Sequence, residues 1–323
     1  MIKESAFRPA WWLPGAHAQT LWASTVRRIR PPPTRAERLE LADGDFLDLN
    51  WLEDGDGPVV MVLHGLQGSI ESRYAAGLLN ALRTRGYRAV FLHFRGCSGE
   101  PNRLARSYHS GDTGDLQILA DLVAKRYPGI PSALVGYSLG GNVTLKWLGE
   151  QGRGAAVQAA VAVSVPLLLD RAATRLDQGL SRLYRRHLLG RMARAYEQKF
   201  RTRPQEAPIP LEQLTEIRSF WAFDDRITAP LHGFKGVDDY YGRSSSRQYL
   251  RGITVPTLIL HARDDPFMTP DVIPSEAELS PAVTLELSEH GGHVGFVTGV
   301  IPGRAGYWLE RRILTYIDNC LRA

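Results

Sequence analysis

The chain has 323 residues, 44% of them hydrophobic and 23% charged, and its 39 basic residues exceed its 34 acidic ones for a net charge of +5. This composition is typical of a folded globular protein and excludes a disordered, collagen-like or coiled-coil chain. Basic residues are spread along the whole chain among acidic ones, so the charge does not predict a nucleic-acid-binding surface. No apolar run reaches the roughly 18–20 residues that a membrane-spanning helix needs.

The two cysteines, Cys97 and Cys320, are too few for a disulfide framework and lack the spacing of metal ligands. Residues 1–10 show no apolar stretch of the kind found in secretory signal peptides. We therefore expect a cytoplasmic protein that needs neither a metal ion nor a cofactor. Peripheral contact with a membrane surface stays open, and the sequence predicts no oligomeric state.

Residues 1–56 precede the repeating pattern of the chain. They begin with aromatic side chains and a Pro31-Pro32-Pro33 break. Polar and apolar residues then alternate over positions 37–53, on both sides of the turn Ala42-Asp43-Gly44-Asp45. This alternation predicts a β-hairpin. Residues 1–56 are thus expected to form an N-terminal segment and a first hairpin.

From Pro58 onward, apolar strands alternate with amphipathic helices. The predicted strands are Val59–Leu63, Ala89–Phe94, Ala133–Gly136, Ala159–Val165, Thr257–His261 and Val283–Leu287. The predicted helices are Ser72–Arg85, Gly111–Tyr127, Gly140–Gly149 and Tyr307–Leu321. Such alternation predicts an α/β fold with a mostly parallel, doubly wound sheet. Its core is expected to comprise residues 57–165 and 251–323.

The alternation stops over residues 166–250, which are polar and rich in arginine and aromatic side chains. Helical spacing over Ser181–Phe200 and Leu211–Phe223 predicts a helical cap inserted into the core. Inserted segments often carry substrate contacts. The candidate substrate-binding residues are the aromatic ones, although ordinary packing inside the cap explains them equally well. They are Trp221, Phe223, Phe234 and Tyr240.

A glycine-flanked serine lies where a predicted strand meets a predicted helix. The segment Gly136-Tyr137-Ser138-Leu139-Gly140 has glycines two residues before and two residues after the serine. These glycines permit a tight strand-to-helix turn that presents the hydroxyl above the sheet. The bare pattern also arises by chance, so its position between strand and helix is what predicts Ser138 as a nucleophile.

A serine nucleophile needs a base and an acid that orients the base. The strand Thr257–His261 is followed by Asp264 and Asp265, and the strand Val283–Leu287 is followed by His290 and His293. The order serine, aspartate, histidine is that of the α/β-hydrolases. Spacing alone separates neither the two aspartates nor the two histidines.

A loop after the first central strand completes the predicted chemistry. In His64-Gly65-Leu66-Gln67-Gly68, backbone N–H groups can face an oxyanion that develops during acyl transfer. The expected donors are the N–H groups of Leu66 and of Leu139, the residue after the predicted nucleophile.

Several motifs together resemble the YheT-like branch of the α/β-hydrolases, which also holds the eukaryotic ABHD medium-chain lipases and the yeast ethyl-ester acyltransferases. They cover nearly the whole chain. They are Phe7-Arg8-Pro9, Gly15-Ala16-His17-Ala18-Gln19-Thr20, His64–Ser69, Phe94–Glu100, Tyr108–Gly111, Gly136–Asn142, Phe223-Asp224, Pro230–Phe234, Tyr240-Tyr241, Asp264–Phe267 and Gly291–Phe296. The resemblance implies Ser138 as nucleophile, Asp265 as orienting acid and His293 as base. The match departs at Ala16-His17-Ala18, where relatives commonly carry Asn-Gly-His-Leu.

These observations predict a cofactor-independent serine hydrolase that cleaves carboxylic esters through an acyl-enzyme. The resemblance implies short- to medium-chain acyl esters, with acylglycerols among the candidates. An acyltransferase that passes the acyl group to an alcohol would use the same triad. A third hypothesis is a non-catalytic α/β-hydrolase scaffold that binds a ligand, but such scaffolds usually have a damaged triad.

Overall fold

The predicted apolar strands form the centre of one nine-stranded sheet. The computed structural model describes residues 1–321. The strands are β1 (Ile2–Glu4), β2 (Arg35–Glu40), β3 (Phe46–Leu52), β4 (Val59–Leu63), β5 (Arg88–His93), β6 (Ser132–Tyr137), β7 (Ala159–Val163), β8 (Thr257–Ala262) and β9 (Val283–Ser288). Their order across the sheet is β1-β9-β8-β7-β6-β4-β5-β3-β2, and every pairing is parallel except those of β3 with β2 and β5. The predicted α/β class with a mostly parallel sheet is confirmed.

Helices cover both faces of this sheet. The helices of the core are α1 (Gly15–Leu21), which continues as a π-helix over Trp22–Val26, α2 (Arg73–Thr84), α3 (Gly114–Arg126), α4 (Leu139–Gln151) and α10 (Trp308–Leu321). Helices α3 and α4 pack on one face of the sheet, and α2 and α10 pack on the other. A small antiparallel pair, β10 (Val297–Thr298) and β11 (Gly306–Tyr307), precedes α10.

The chain between β7 and β8 carries the remaining helices. They are α5 (Leu169–Leu176), α6 (Ser181–Phe200), α7 (Phe220–Phe223), α8 (Ala229–Leu231) and α9 (Val237–Ser244), with a π-helix over Asp224–Thr228 and 3₁₀ turns over Leu211–Glu216 and Ser246–Gly252. Their buried side chains form an apolar cluster of their own. Helix α6 has the predicted bounds. The single helix predicted over Leu211–Phe223 is wrong, because Ser219 accepts a hydrogen bond from the Ala222 N–H and starts the separate helix α7.

The turn between β6 and α4 is built on backbone strain and close packing. Ser138 has φ 51° and ψ −117°, a conformation that is uncommon for a residue with a side chain. A Cβ atom on Gly140 would lie 2.5 Å from the His64 carbonyl oxygen and 2.8 Å from the Leu63 carbonyl oxygen. Position 140 therefore admits only glycine, because α4 begins in contact with the carboxyl end of β4.

We predict opposite effects for two glycine-to-alanine changes. Gly140→Ala should lower the free energy of unfolding by about 2 kcal/mol or more, because the backbone of β4 and its loop must move. Gly190→Ala in α6 should raise it by about 0.5–1 kcal/mol, since a Cβ there meets no atom within 4 Å and alanine favours the helix. Urea denaturation of both variants measures these values. Equal effects of the two changes would contradict this account of the turn.

Candidate active site

Three predicted residues meet at the carboxyl edge of the sheet. Ser138 follows β6, Asp265 follows β8 and His293 follows β9. The Oγ atom of Ser138 lies 3.0 Å from Nε2 of His293, and Nδ1 of His293 lies 2.8 Å from an Oδ2 atom of Asp265. The Asp265 side chain is fully buried and that of His293 is 9% exposed. The arrangement is a continuous hydrogen-bonded chain from a hydroxyl through an imidazole to a carboxylate.

The alternative neighbours lie elsewhere. Asp264 accepts a hydrogen bond from the Gly292 N–H at 2.9 Å, so it holds the backbone of the loop after β9. His290 is exposed, and its Nδ1 atom lies 3.3 Å from an Asp264 oxygen. Neither residue contacts the imidazole of His293 through a hydrogen bond. The structure thus separates pairs that sequence spacing left together.

The loop after β8, which carries Asp265, also contacts the face of the His293 imidazole. The ring of Phe267 stacks on that of His293 with centroids 4.0 Å apart and planes 3° from parallel. The Phe267 N–H donates to the second carboxylate oxygen of Asp265 at 2.8 Å. Asp265 therefore has both oxygens engaged, and the imidazole is held by its edge and by its face.

Helix α1 fixes the histidine loop from the N-terminal segment. Thr20 Oγ1 accepts a hydrogen bond from the His293 N–H at 2.9 Å and donates to the Ala16 carbonyl at 2.8 Å. Gln19 Oε1 accepts from the Val297 N–H at 2.7 Å. The sequence analysis did not assign these roles to Gln19 and Thr20. The signal was the motif Gly15–Thr20, which carried the family resemblance without indicating what it contacts.

The loop after β4 offers one free backbone donor toward Ser138. The Gly65 N–H donates to the Tyr74 hydroxyl at 2.9 Å, and the Gln67 N–H donates to the Tyr108 hydroxyl at 2.9 Å. The N–H of Leu66, between them, has no acceptor within residues 1–321. A Cβ on Gly65 would lie 3.2 Å from Ser138 Cβ, so this loop packs directly against the serine.

The first turn of α4 offers the second donor. The Ser138 N–H donates to the Val163 carbonyl at 2.8 Å, and the Ser138 carbonyl accepts from the Asn142 N–H. The N–H of Leu139, as the first residue of the helix, finds no acceptor in the described part of the chain. Both donors predicted from the sequence are therefore free to bind an anionic oxygen.

His64 supports the loop after β4 from below. Its Nε2 atom accepts from the Phe94 N–H at 3.1 Å, so the proton of the neutral ring lies on Nδ1 and is donated to the Gly65 carbonyl at 2.6 Å. Burial lowers the pKa of His64 to about 3. The ring is therefore neutral at physiological pH, and its contacts are with the backbone of the loop.

A narrow cavity of about 180 Å³ extends from Ser138 beneath the helices between β7 and β8. Most of its wall is apolar. The apolar side chains include Leu169, Ala172, Leu176, Leu188, Met192, Phe223 and Ile227. Of the four predicted substrate-binding aromatic residues, the structure places Phe223 and Tyr240 on this wall.

The other two aromatic residues, Trp221 and Phe234, are not among the residues that line this cavity. Trp221 donates its indole N–H to Thr174 Oγ1 at 3.1 Å and packs edge-on against Tyr241. Phe234 packs behind Tyr240, with ring centroids 5.2 Å apart. Trp221 lies on α7 and Phe234 lies between α8 and α9, and both pack against the apolar cluster of the helical segment.

A second, wider cavity of about 760 Å³ opens on the other side of the serine. It contains His293 and shares Ser138, Leu66 and Phe267 with the narrow cavity. Its walls come from α1, from the start of α2 and from α6. The hydroxyl of Ser138 thus lies between a narrow apolar space and a wide one.

Residues 1–321 contain no cluster of three or more His, Cys, Asp or Glu side chains that could hold a metal ion. In the same part of the chain, no helix has the length and apolar character to cross a membrane.

Several known proteins are similar to this chain in sequence or in fold. The sequence pattern of the alpha/beta hydrolase fold family matches residues 58–300. An Escherichia coli (strain K12) protein named as an esterase, YheT, is 42% identical over 321 residues, covering 98% of this chain and 94% of its own length. The mouse phospholipase ABHD3 is 30% identical and covers 95% of this chain and 77% of its own. The Pyrococcus furiosus esterase Pf2001 has a similar fold, with a TM-score of 0.60 over 91% of this chain and 99% of that chain at 16% identity.

One acidic group lies on the wall of the narrow cavity. The carboxylate of Asp224 accepts hydrogen bonds from the hydroxyls of Thr228 and Tyr241, each at 2.7 Å. Burial raises the pKa of Asp224 from 3.8 to about 6, although both hydrogen bonds act in the opposite direction. Folding therefore favours the protonated carboxyl.

This raised pKa predicts a pH-dependent stability. Because Asp224 binds its proton more tightly in the folded chain, its stabilising contribution is full below pH 4 and is lost as the pH rises through 6. The rise in the pKa of Asp224 from 3.8 to about 6 corresponds to about 3 kcal/mol in the free energy of unfolding. In Asp224→Asn this loss should be absent, so the variant should gain up to that amount relative to the parent between pH 4 and pH 7. Denaturant titrations across this range test it, and a constant difference between the two proteins would refute it.

Proposed function

This chain belongs to the α/β-hydrolase family, in its YheT-like and ABHD branch, and from that premise we propose that it hydrolyses short- to medium-chain carboxylic esters through Ser138, His293 and Asp265. Its relatives named esterase and phospholipase indicate a carboxylic ester hydrolase. The observation that carries the residue assignment is the hydrogen-bonded chain from Ser138 Oγ to the buried carboxylate of Asp265.

The distances support a two-step acyl transfer. His293 Nε2 lies within hydrogen-bond distance of Ser138 Oγ, so it takes the hydroxyl proton as Oγ attacks the acyl carbon. The proton then passes to the leaving alcohol, and an ester of Ser138 remains. Water attacks this acyl-enzyme with His293 again as base, and the acid and free Ser138 are released. Asp265 holds the imidazole in the required tautomer and stabilises its charged form.

The free N–H groups of Leu66 and Leu139 would bind the oxyanion of each tetrahedral intermediate. Such donors stabilise the transition state by about 3–4 kcal/mol each. Their neighbours in the loop and the helix are already bonded, so donation to the oxyanion costs no internal hydrogen bond. One donor lies in the loop after β4 and the other at the start of α4, and these two parts of the chain meet at Gly140.

The two cavities would hold different parts of the ester substrate. The narrow cavity has a mostly apolar wall, which suits the acyl chain. The wide cavity gives the alcohol part an exit and gives water a path to His293. Open access of water to the imidazole favours hydrolysis over transfer to another alcohol.

The nucleophile is tested first. Ser138→Ala should lower ester hydrolysis by about 10⁴–10⁶ in kcat while the fold is kept, because the triad acts as a unit. Covalent labelling by a fluorophosphonate probe should disappear in this variant. His290→Ala, a change in the exposed histidine, serves as the control and should label like the parent. Labelling that persists in Ser138→Ala would place the nucleophile elsewhere.

The neighbouring aspartates should differ sharply. Asp265→Asn should lower kcat by about 10⁴, because an amide there favours the wrong imidazole tautomer. Asp264→Asn should retain most of the activity, since Asp264 bonds only the loop backbone and the exposed His290. Hydrolysis of p-nitrophenyl hexanoate, measured for both variants, decides between them. The reverse ranking would assign the orienting role to Asp264.

The narrow cavity should set the acyl-chain optimum. Phe223→Ala removes a ring from the wall and so enlarges the cavity. The optimum of kcat/KM should then move by two or more carbons toward longer chains, since each buried methylene contributes about 0.8 kcal/mol. Trp221→Ala is the matched control, because that ring lies behind the wall. A series of p-nitrophenyl esters from acetate to dodecanoate measures the profile. The same shift in both variants would show that the cavity wall does not select the chain.

A further inference from the structure

Three exposed aliphatic residues line the wide cavity, and a fourth, Val26, lies on the same helical segment as one of them. Leu21 and Val26 on the first helical segment are 46% and 48% exposed, and Leu180 and Leu183 at the start of α6 are 63% and 67% exposed. Leu21, Leu180 and Leu183 line the cavity that contains Ser138 and His293. We refer to these four residues as the apolar rim. A group of exposed aliphatic side chains at a cavity mouth marks an interaction surface.

Two of the four rim residues, Leu180 and Leu183, lie on one face at the start of α6. Residues at three- and four-residue spacing in and just before this helix line the wide cavity, as expected for one side of a helix. They are Leu180, Leu183, Tyr184, His187, Leu188 and Arg191. Other α6 side chains, among them Leu189, Tyr196 and Phe200, are buried in the apolar cluster of the segment. Leu180 and Leu183 therefore add no packing to the fold, and their surface stays in water.

Exposed basic side chains lie on the same two segments as the apolar rim. Arg182, Arg186 and Arg194 on α6 and Arg28 and Arg30 after the first helical segment are exposed, and none forms an ion pair within residues 1–321. Of the acidic groups nearby, Asp177 already pairs with Arg185. Glu71 is the acidic side chain at the cavity that is both exposed and without an ion pair in the described chain. The surface around the rim is therefore positively charged.

We propose that this surface docks on an anionic lipid bilayer, with the apolar rim inserted among the acyl chains and the arginines at the head groups. Exposed aliphatic residues and unpaired arginines on one surface are the two contributions that bind proteins to such bilayers. A second copy of the chain fits less well, because a symmetric dimer through this face would bring arginines against arginines. Docking would place the mouth of the wide cavity at the lipid surface, so an ester could reach Ser138 without crossing water.

The apolar contribution is tested by co-sedimentation with vesicles of phosphatidylcholine and phosphatidylglycerol in a 7:3 ratio. The full chain should bind, and the double change Leu180→Ser and Leu183→Ser should weaken binding by about tenfold or more. The matched control is Ile118→Ser with Ile130→Ser, since these residues are 37% and 38% exposed but lie on α3 and before the amino end of β6. The control should bind like the parent, and circular dichroism with thermal unfolding checks the fold of both variants.

The electrostatic contribution has its own variant. Arg182→Gln with Arg186→Gln should weaken binding to the same vesicles severalfold, and both pure phosphatidylcholine and 0.5 M salt should weaken binding of the parent. The proposal is overturned by absent binding of the parent or by equal losses in the rim and control variants. It is also overturned if sedimentation velocity shows a dimer that only the rim variant abolishes. None of these outcomes depends on the catalytic role of Ser138.

Discussion

The backbone conformation of Ser138 is the constraint on which the candidate site depends. A residue with a side chain takes positive φ at a cost of about 1–3 kcal/mol, and it persists only where the surroundings hold it. Here the Ser138 N–H donates a hydrogen bond to the Val163 carbonyl of β7, and the Ser138 carbonyl accepts one from the first turn of α4. The absence of a side chain at Gly140 lets that helix contact the end of β4. The same contact sets the serine beside the loop that carries the free N–H of Leu66. The Ser138 hydroxyl and the unpaired N–H groups of Leu66 and Leu139 are thus positioned by a single turn.

The sequence predicted what local pattern determines. Buried parallel strands are near-continuous apolar runs, so β4 to β9 were recognised, and the glycines around Ser138 marked the turn after β6. Strand β1 was missed because its three residues, Ile2–Glu4, have no period of their own and are held by pairing with Leu285, Glu286 and Leu287 of β9. Asp264 and Asp265 were inseparable for a related reason. Adjacent residues point in opposite directions, and only the fold shows which of the two faces His293.

In the helical segment between β7 and β8, composition alone does not predict which residues line the narrow cavity. Its aromatic content predicted a substrate wall, but composition does not indicate which side of a helix faces the cavity. Phe223 and Tyr240 reach the wall, whereas Trp221 and Phe234 pack behind it. For Trp221 and Phe223, the break at Ser219 starts a new helix, so the residues before it do not indicate which side of α7 faces the cavity. The twenty-residue helix α6 has the bounds that the sequence predicts.

The N-terminal segment contributes to the site although it lies some 270 residues away from the histidine in sequence. Thr20 accepts a hydrogen bond from the backbone N–H of His293. A Cβ atom added to Gly292 would clash with the Ala16 carbonyl and the Thr20 hydroxyl. The histidine loop can therefore take its position only against α1, and α1 in turn presents Leu21 at the mouth of the wide cavity. One short helix thus joins the imidazole to the outer surface of the protein. Residues of α1 thus hold the backbone of His293 and also line the wide cavity, which explains why the motif Gly15–Thr20 accompanies the motifs of the candidate site.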